Sequence, residues 1–339
     1  MAIVVSGCGE WWSEPNPSNQ IDRTRILGTR VEVVELGPAW PLRIGDDPDD
    51  PPITEAMPGD RVQVSGMMVD AHGRALPSAD FDAIWLLCPG RCGVDLPRCE
   101  DLDEWTTDVD CELGRGGELE FELPALGMET LRYGGMAVIG IFALDPGIDA
   151  ERCRALVREP GPDLDKCGVA TGDLEIGPRW GLMAELQQAG VEIDYPLFEV
   201  PLAAFEQPAN RLALPTMPIW MDVDRGTLIV GSPLRVRRGQ HLVGYGPTWR
   251  DFDTQPFVVE RAASPDIYVY LGQVERRDFD WYYSVGLTPI QRNETMVELE
   301  IDEDAEFGPV SAVMVFGDFR EDFHSSAYDF RVVEFEVVP

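Results

Sequence analysis

The chain reads as all-β, built of two antiparallel sandwiches, the first with a small helical insertion. Three observations carry this. Short runs of period-two hydrophobicity recur along most of the length, each bounded by Gly, Pro or Asp. Helices at the spacing of strand–helix–strand units are missing from the pattern, which points away from a parallel sheet. At 339 residues, with 44% hydrophobic and 26% charged side chains, the chain is long enough for two domains with separate cores and too apolar for a disordered one.

Taken in order, residues 1–21 read as a signal remnant and extended tether: "GEWWSEPNPSNQ" is rich in Pro, Ser, Asn and Glu and has no core face. The first sandwich is expected over 22–207. "RILGTRVEVVEL" alternates after its arginines, "DRVQVSGMMVD" places Val62, Val64, Gly66 and Met68 on one face, and "FDAIWLLC" sets Trp85 in a half-buried run. "GELEFELP", "GMAVIGIFAL" and "YPLFEVPLA" continue with the same period, separated by the turn signals "MPGD", "DAHGR" and "GRGG", the last read as a hairpin turn. Between 145 and 195 the period changes. "DAERCRALVREP" and "GPRWGLMAELQQAG" have helical spacing and end at Pro or Gly, so a helical insertion is expected there, on a sandwich loop that tolerates extra chain. "AAFEQPANRLALPTMP" suits a linker. The second sandwich, 208–339, follows in "GTLIVGS", "PLRVRRGQHLVGYG", "PFVVERA", "DIYVYLGQV", "DWYYSVGLT", "TMVELEI", "VSAVMVFGDF" and "AYDFRVVEFEVV". One echo links the halves: "MPGDRVQVSG" at 57–66 and "RRGQHLVGYG" at 237–246 share a glycine, a polar residue and an alternating strand that ends at glycine.

A formal charge of -34 argues against nucleic acid, whose phosphates need clustered cations. Lys166 is the only lysine among many arginines, a habit of composition that indicates no reaction. No run approaches the roughly 18 apolar residues of a membrane-spanning helix.

Val5-Ser6-Gly7-Cys8 resembles the lipobox of bacterial lipoproteins, in which small residues precede a cysteine that receives diacylglycerol. The resemblance implies lipidation at Cys8. Only Ala2–Val5 precede it as an apolar segment, against the ~7–15 residues of a working signal, so a start upstream of Met1 is expected. The remaining cysteines, Cys88, Cys92, Cys99, Cys111, Cys153 and Cys167, form an even set, which in an exported chain reads as disulfides. Cys153 with Cys167, flanking one short helix, is the favoured pair; the other four allow several pairings. Zinc on Cys88, Cys92, Cys99 and Cys111 is the alternative, disfavoured by the surrounding acids and the absence of a nearby histidine.

The run "TRILGTRVEVVEL…MPGDRVQVSGMMVDAHGRALP…IWLLCPG" is similar to the first half of immunoglobulin-like bacterial surface lipoproteins of the myxobacterial type, of uncharacterised function. "VMVFGDFREDFHSSAYDFRVVEFEV" resembles the closing hairpin of their second half. The resemblance implies immunoglobulin-like sandwiches in both halves and is silent about activity.

Catalytic and metal constellations do not assemble. His324, Ser325 and Ser326 beside Asp322 are too close along a hairpin to bond in series, so they read as a polar tip. His72 and His241 lie far apart in sequence and show no metal spacing. "DDPDDPP" at 46–52, "DVDRG" at 222–226 and "IDEDAE" at 301–306 lack the spaced calcium loop and read as solvated turns. Trp249, Tyr268, Tyr270, Trp281, Tyr282 and Tyr283 crowd the second sandwich. Consecutive Trp281, Tyr282 and Tyr283 must divide between faces, leaving one exposed. The expectation is therefore a lipid-anchored, non-enzymatic binding or scaffolding protein of the outer membrane or cell surface, with the periplasm as the alternative site, and with no cofactor, no metal and no nucleic acid. It would present the 88–111 loop and the 145–195 insertion to an envelope protein or polysaccharide. The alternatives are a carbohydrate-active module or hydrolase using acidic residues, and a calcium-dependent adhesion module.

Overall fold

In a computed structural model of the protein the described residues are 19–38, 53–88, 111–123, 135–157, 166–177, 179–190, 217–245, 256–264, 267–274, 276–293, 296–320 and 325–339. Within these, the side chains of 88, 179, 256–264, 267–274, 276–279, 291–293, 317–320 and 325–329 are outside the description. The fold is mostly antiparallel and all-β, with two helices and a disulfide between Cys153 and Cys167.

The N-terminal half carries β1 (Gln20–Ile21), β2 (Arg25–Glu35), β3 (Glu55–Ala56), β4 (Arg61–Val69), β5 (Ala75–Leu76), β6 (Ala83–Cys88), β7 (Cys111–Arg115), β8 (Glu118–Glu122), β9 (Gly135–Ala143), helix α1 (Ala150–Val157), β10 (Cys167–Ile176) and helix α2 (Arg179–Gln188). One sheet has the order β3-β10-β9-β6-β7; the other sets β4 between β2 and β8, with short β5 beside it. Alternation decides which side chains meet: Val62, Val64 and Met68 of β4 pack with Trp85, Val138, Phe142 and Leu174 from the facing sheet. Trp85 and Phe142 stand edge-on, 5.3 Å between centroids.

The C-terminal half carries β11 (Ile219–Asp222), β12 (Thr227–Ile229), β13 (Leu234–Val236), β14 (His241–Tyr245), β15 (Pro256–Ser264), β16 (Ile267–Val274), β17 (Arg276–Ser284), β18 (Leu287–Asn293), β19 (Met296–Ile301), β20 (Gly308–Arg320) and β21 (Ser325–Val337). Its sheets run β1-β17-β20-β21-β13 and β12-β11-β14-β19-β18, and β15 pairs with β16. Trp220, Trp281 and Phe335 form the centre of this core, Trp220 edge-on to both at 5.8 and 4.9 Å.

The echo noted in the sequence is a shared device. In the first half the Gly59 amide donates to the Leu123 carbonyl (2.6 Å), the Leu123 amide to the Asp60 carbonyl (2.8 Å), and the Met57 amide to Asp60 Oδ2 (2.7 Å). In the second, Gly239 donates to Ile301 (2.7 Å), Ile301 to Gln240 (3.0 Å), and Arg237 to Gln240 Oε1 (2.8 Å). Both glycines have positive φ, 86° and 67°, as the turn requires. Just before each turn a short strand pairs parallel with the last strand of its half, β3 with β10 and β13 with β21. The same connections thus recur along the two halves.

The halves meet over Ile21, Val69 and Val313, packed with Leu27, Tyr282, Phe330 and Val332. β1 closes the joint: the segment read as tether ends in a strand that pairs parallel with β17, Gln20 opposite Tyr283, while Asn19 Nδ2 donates to the Trp281 carbonyl at 2.6 Å. The Ser311 hydroxyl donates to the His72 carbonyl, and its amide to Ser284 Oγ at 2.9 Å. Ser311→Ala strands that carbonyl at the joint, so it is expected to cost about 1 kcal/mol and to speed hydrogen exchange across 70–74; an unchanged unfolding midpoint removes the bond from the account.

Two expectations require correction. The glycines of "GRGG" do not form a hairpin turn: β7 pairs with β6 and β8 with β4, so Gly116–Gly117 carry the chain from one sheet to the other. Ser78 fastens this crossing, accepting from the Gly66 amide (2.9 Å) and donating to the Gly117 carbonyl. A Cβ on Gly117 would stand 1.6 Å from the Ser78 carbonyl oxygen, so only glycine fits. The stretch read as one helical insertion, 145–195, contains both expected helices, but β10 lies between them and pairs along its length with β9. Its Gly168 and Gly172 accommodate the facing strand, their missing Cβ atoms lying within 3 Å of Ile26 and Thr29 side chains. Those glycines, with Asp173 and Glu175, blurred the strand pattern.

Candidate interaction surfaces

The first surface is built by α1. Its N-terminus is capped by Asp149, whose Oδ1 accepts from the Arg152 amide (2.7 Å), and is held by Asp82, whose Oδ2 accepts from the Ala150 amide (2.8 Å). Ala150 and Cys153 cover Ile84, Leu86, Ile139 and Ile141 on the side of the β6–β9 sheet away from the core. Arg154 pairs with Glu112 at 2.6 Å, both side chains almost enclosed. The Cys153–Cys167 bridge, Cα atoms 5.5 Å apart, ties the helix to the start of β10. Cys111 is also disulfide-bonded, with a partner outside the described side chains.

Further along the same side of the sheet lie acids. Asp173 and Glu175 share the outward face of β10, and Glu55 of β3 stands opposite Glu175 in the parallel register. Glu55 and Glu175 are buried. Asp173 keeps some surface exposed, yet protein packs densely around its carboxyl; this burial, and secondarily the Glu175 charge, push its pKa up to about 8. Acids are so abundant in the chain that this group does not stand out in the sequence. A D-x-E pair inside an otherwise apolar, glycine-bearing run was the available signal.

The residues singled out from the sequence are otherwise structural or outside the description. Asp222 is buried, with Oδ1 accepting from the Arg225 amide (3.0 Å) and Oδ2 from Gln240 Nε2 (2.7 Å), so it closes a turn. Asp302 Oδ1 accepts from Thr288 Oγ1. The His72 amide is capped by Asp70, and His241 faces Glu300 at 3.6 Å. Among the described residues no group of three potential ligands gathers around a metal position. Trp281 and Tyr283 are core residues, and Tyr282, on the opposite face, packs at the joint between halves, so the expected exposed member of the three is partly covered. Cys8, Cys92, Cys99, residues 46–52, Trp249, Asp322 and His324 are outside the described residues, as are the Cys88, Tyr268 and Tyr270 side chains.

No family model and no curated protein matches the chain.

The last surface is the outward side of the β12-β11-β14-β19-β18 sheet. Ile219 and Met221 of β11 lie beside Leu228 and the following Val230 on the β12 side, and beside Tyr245 and Val243 of β14. Leu228 is 63%, Ile219 58% and Val230 85% exposed, unusual values for side chains that a strand could have turned inward.

Proposed function

We propose that the protein is a non-enzymatic binding or scaffolding module of the cell envelope, anchored by lipid at Cys8, each half an immunoglobulin-like sandwich. The observation that carries the compartment is the pair of disulfide-bonded sites, Cys153–Cys167 and Cys111, since such bonds persist where the surroundings oxidise. The sheet orders support the sandwich reading: each half sets a three-strand core of one sheet against a sheet whose edge strand pairs parallel with the last strand. The working surfaces are the α1 face and the 88–111 loop, offered to an envelope protein or polysaccharide. Its polar turn residues support a scaffold role, because Asp60, Ser78, Asp222 and Ser311 act as partners for internal amides and carbonyls.

Intact-mass and non-reducing peptide mapping of the native protein tests location and linkage together; a cytosolic protein with free thiols at 153 and 167 would end this reading. Cross-linking in intact envelopes tests the binding role, with links expected from 88–111 or α1. Removing the bridge in a Cys153→Ala/Cys167→Ala variant is expected to lower stability by about 3 kcal/mol, from the loop entropy of a 14-residue separation. A second reading, a hydrolase using acids, is favoured by the raised Asp173 carboxyl beside Glu175, a trait of general acids. Turnover of a polysaccharide that disappears in Asp173→Asn would favour it over the scaffold.

A further inference from the structure

We propose that the outward face of the β12-β11-β14-β19 sheet binds a partner protein through an apolar segment flanked by lysine or arginine. This deepens the binding reading above and adds a surface that reading does not use.

Six of the eleven large apolar side chains described as exposed fall on or beside this face: Met217, Ile219, Val223, Leu228, Val230 and Tyr245. The fold does not require them. The first half supplies an internal control, since its β2-β4-β8 sheet repeats the same pairings. There Ser65 lies between Arg30 and Glu118, and Gln63 between Glu32 and Glu120. In the second half Tyr245 lies between Ile219 and Met296, and Val243 between Met221 and Glu298. At matching places the first half therefore has Arg, Glu, Ser, Gln and Glu where the second has Ile, Met, Tyr, Val and Met. A face that is polar and half-exposed in one half is apolar in the other, on the same scaffold.

The charge chooses the partner. At the far end of the face the acids remain in both halves: Glu120 and Glu122 in the first, Glu298 and Glu300 in the second. Exposed Asp224 stands at this same end, in the turn between β11 and β12, where the Val223 amide donates to the carbonyl of His241, the residue opposite Glu300. A net charge of -34 repels a second copy and an anionic lipid surface, and draws in a cationic rim.

The test uses the full chain and a labelled peptide of alternating leucine and lysine. An Ile219→Arg/Met221→Glu/Tyr245→Ser variant installs the residues of the first half at exposed or half-exposed positions, so the fold should survive; circular dichroism checks that. The leucine–lysine peptide is expected to bind the wild type, protect 219–230 from hydrogen exchange, and lose about tenfold or more in affinity for the variant. Failure to bind the wild type, equal binding to the variant, or equal binding of a serine–lysine peptide overturns the proposal. So does a wild-type dimer in sedimentation velocity, or binding to phosphatidylcholine vesicles, that the variant abolishes. Envelope cross-links from 88–111 or α1 would persist in any of these cases if the broader binding reading holds.

Discussion

Asp60→Ala is expected to destabilise the N-terminal half by about 3–5 kcal/mol, because it strands two buried amides at roughly 1–3 kcal/mol each. Oδ1 accepts from the Gly37 amide at 2.6 Å and Oδ2 from the Met57 amide at 2.7 Å, and Asp60 is fully buried. These bonds hold the segment after β2 and the turn before β4 to one carboxylate, while the Asp60 backbone carbonyl holds Leu123 at the end of β8. Only aspartate offers two acceptor oxygens at this length; asparagine would set a donor NH2 against one of the two amides. The matching residue supplies the comparison. Gln240 accepts from the Arg237 amide near solvent and donates to Asp222, so Gln240→Ala is expected to cost only about 1 kcal/mol. Urea unfolding measures each difference, and hydrogen exchange over 61–69 and 241–245 assigns it to a half. Equal costs at the two positions would show that the shared turn geometry, and not the buried carboxylate, does the holding.

Asp173→Asn is expected to stabilise the protein at neutral and mildly alkaline pH. Burial and the Glu175 charge raise the folded carboxyl to about 8 from the ordinary 3.8, so between those values the unfolded chain releases a proton that the folded one retains. Stability from this group is therefore complete below pH 4, falls as pH rises, and is fully lost by about pH 8. At about 1.4 kcal/mol per pH unit the loss is on the order of 5 kcal/mol. Asparagine keeps the shape and the neutral state, which removes the slope. The check is the difference in unfolding free energy between wild type and variant at pH 4, 6 and 8, at constant salt. It should be near zero at pH 4 and grow in favour of the variant; a difference independent of pH would mean that Asp173 titrates normally.

Most long strands were legible because one side of each faces a core and alternation records it. β2, β4, β6, β9, β19, β20 and β21 all fall in runs chosen on that ground. Both helices were legible from their spacing and their Pro or Gly ends, and the Cys153–Cys167 pair from its short separation, although Cys153 lies within α1 and the pair does not flank it. The two-residue strands β1 and β3 were not legible, and β13 was legible only as one run with β14, without the turn that parts them. Two or three residues carry no period, and they exist because β17, β10 and β21 offer a neighbouring edge. β10 was hidden by its glycines and acids, which suit close packing against β2 and an outward face that apolar patterning does not describe.

Local pattern alone determined that the chain would be strands joined by glycine and aspartate turns, with the same turn used twice, because period two and positive φ are properties of neighbouring residues. Tertiary structure alone decided which strands share a sheet, that "GRGG" crosses between sheets, that Tyr282 lies at a joint, and that Ile219, Leu228 and Tyr245 face outward. Alternation shows that a strand has two sides; only its pairing with residues far away in the chain settles which of them meets water.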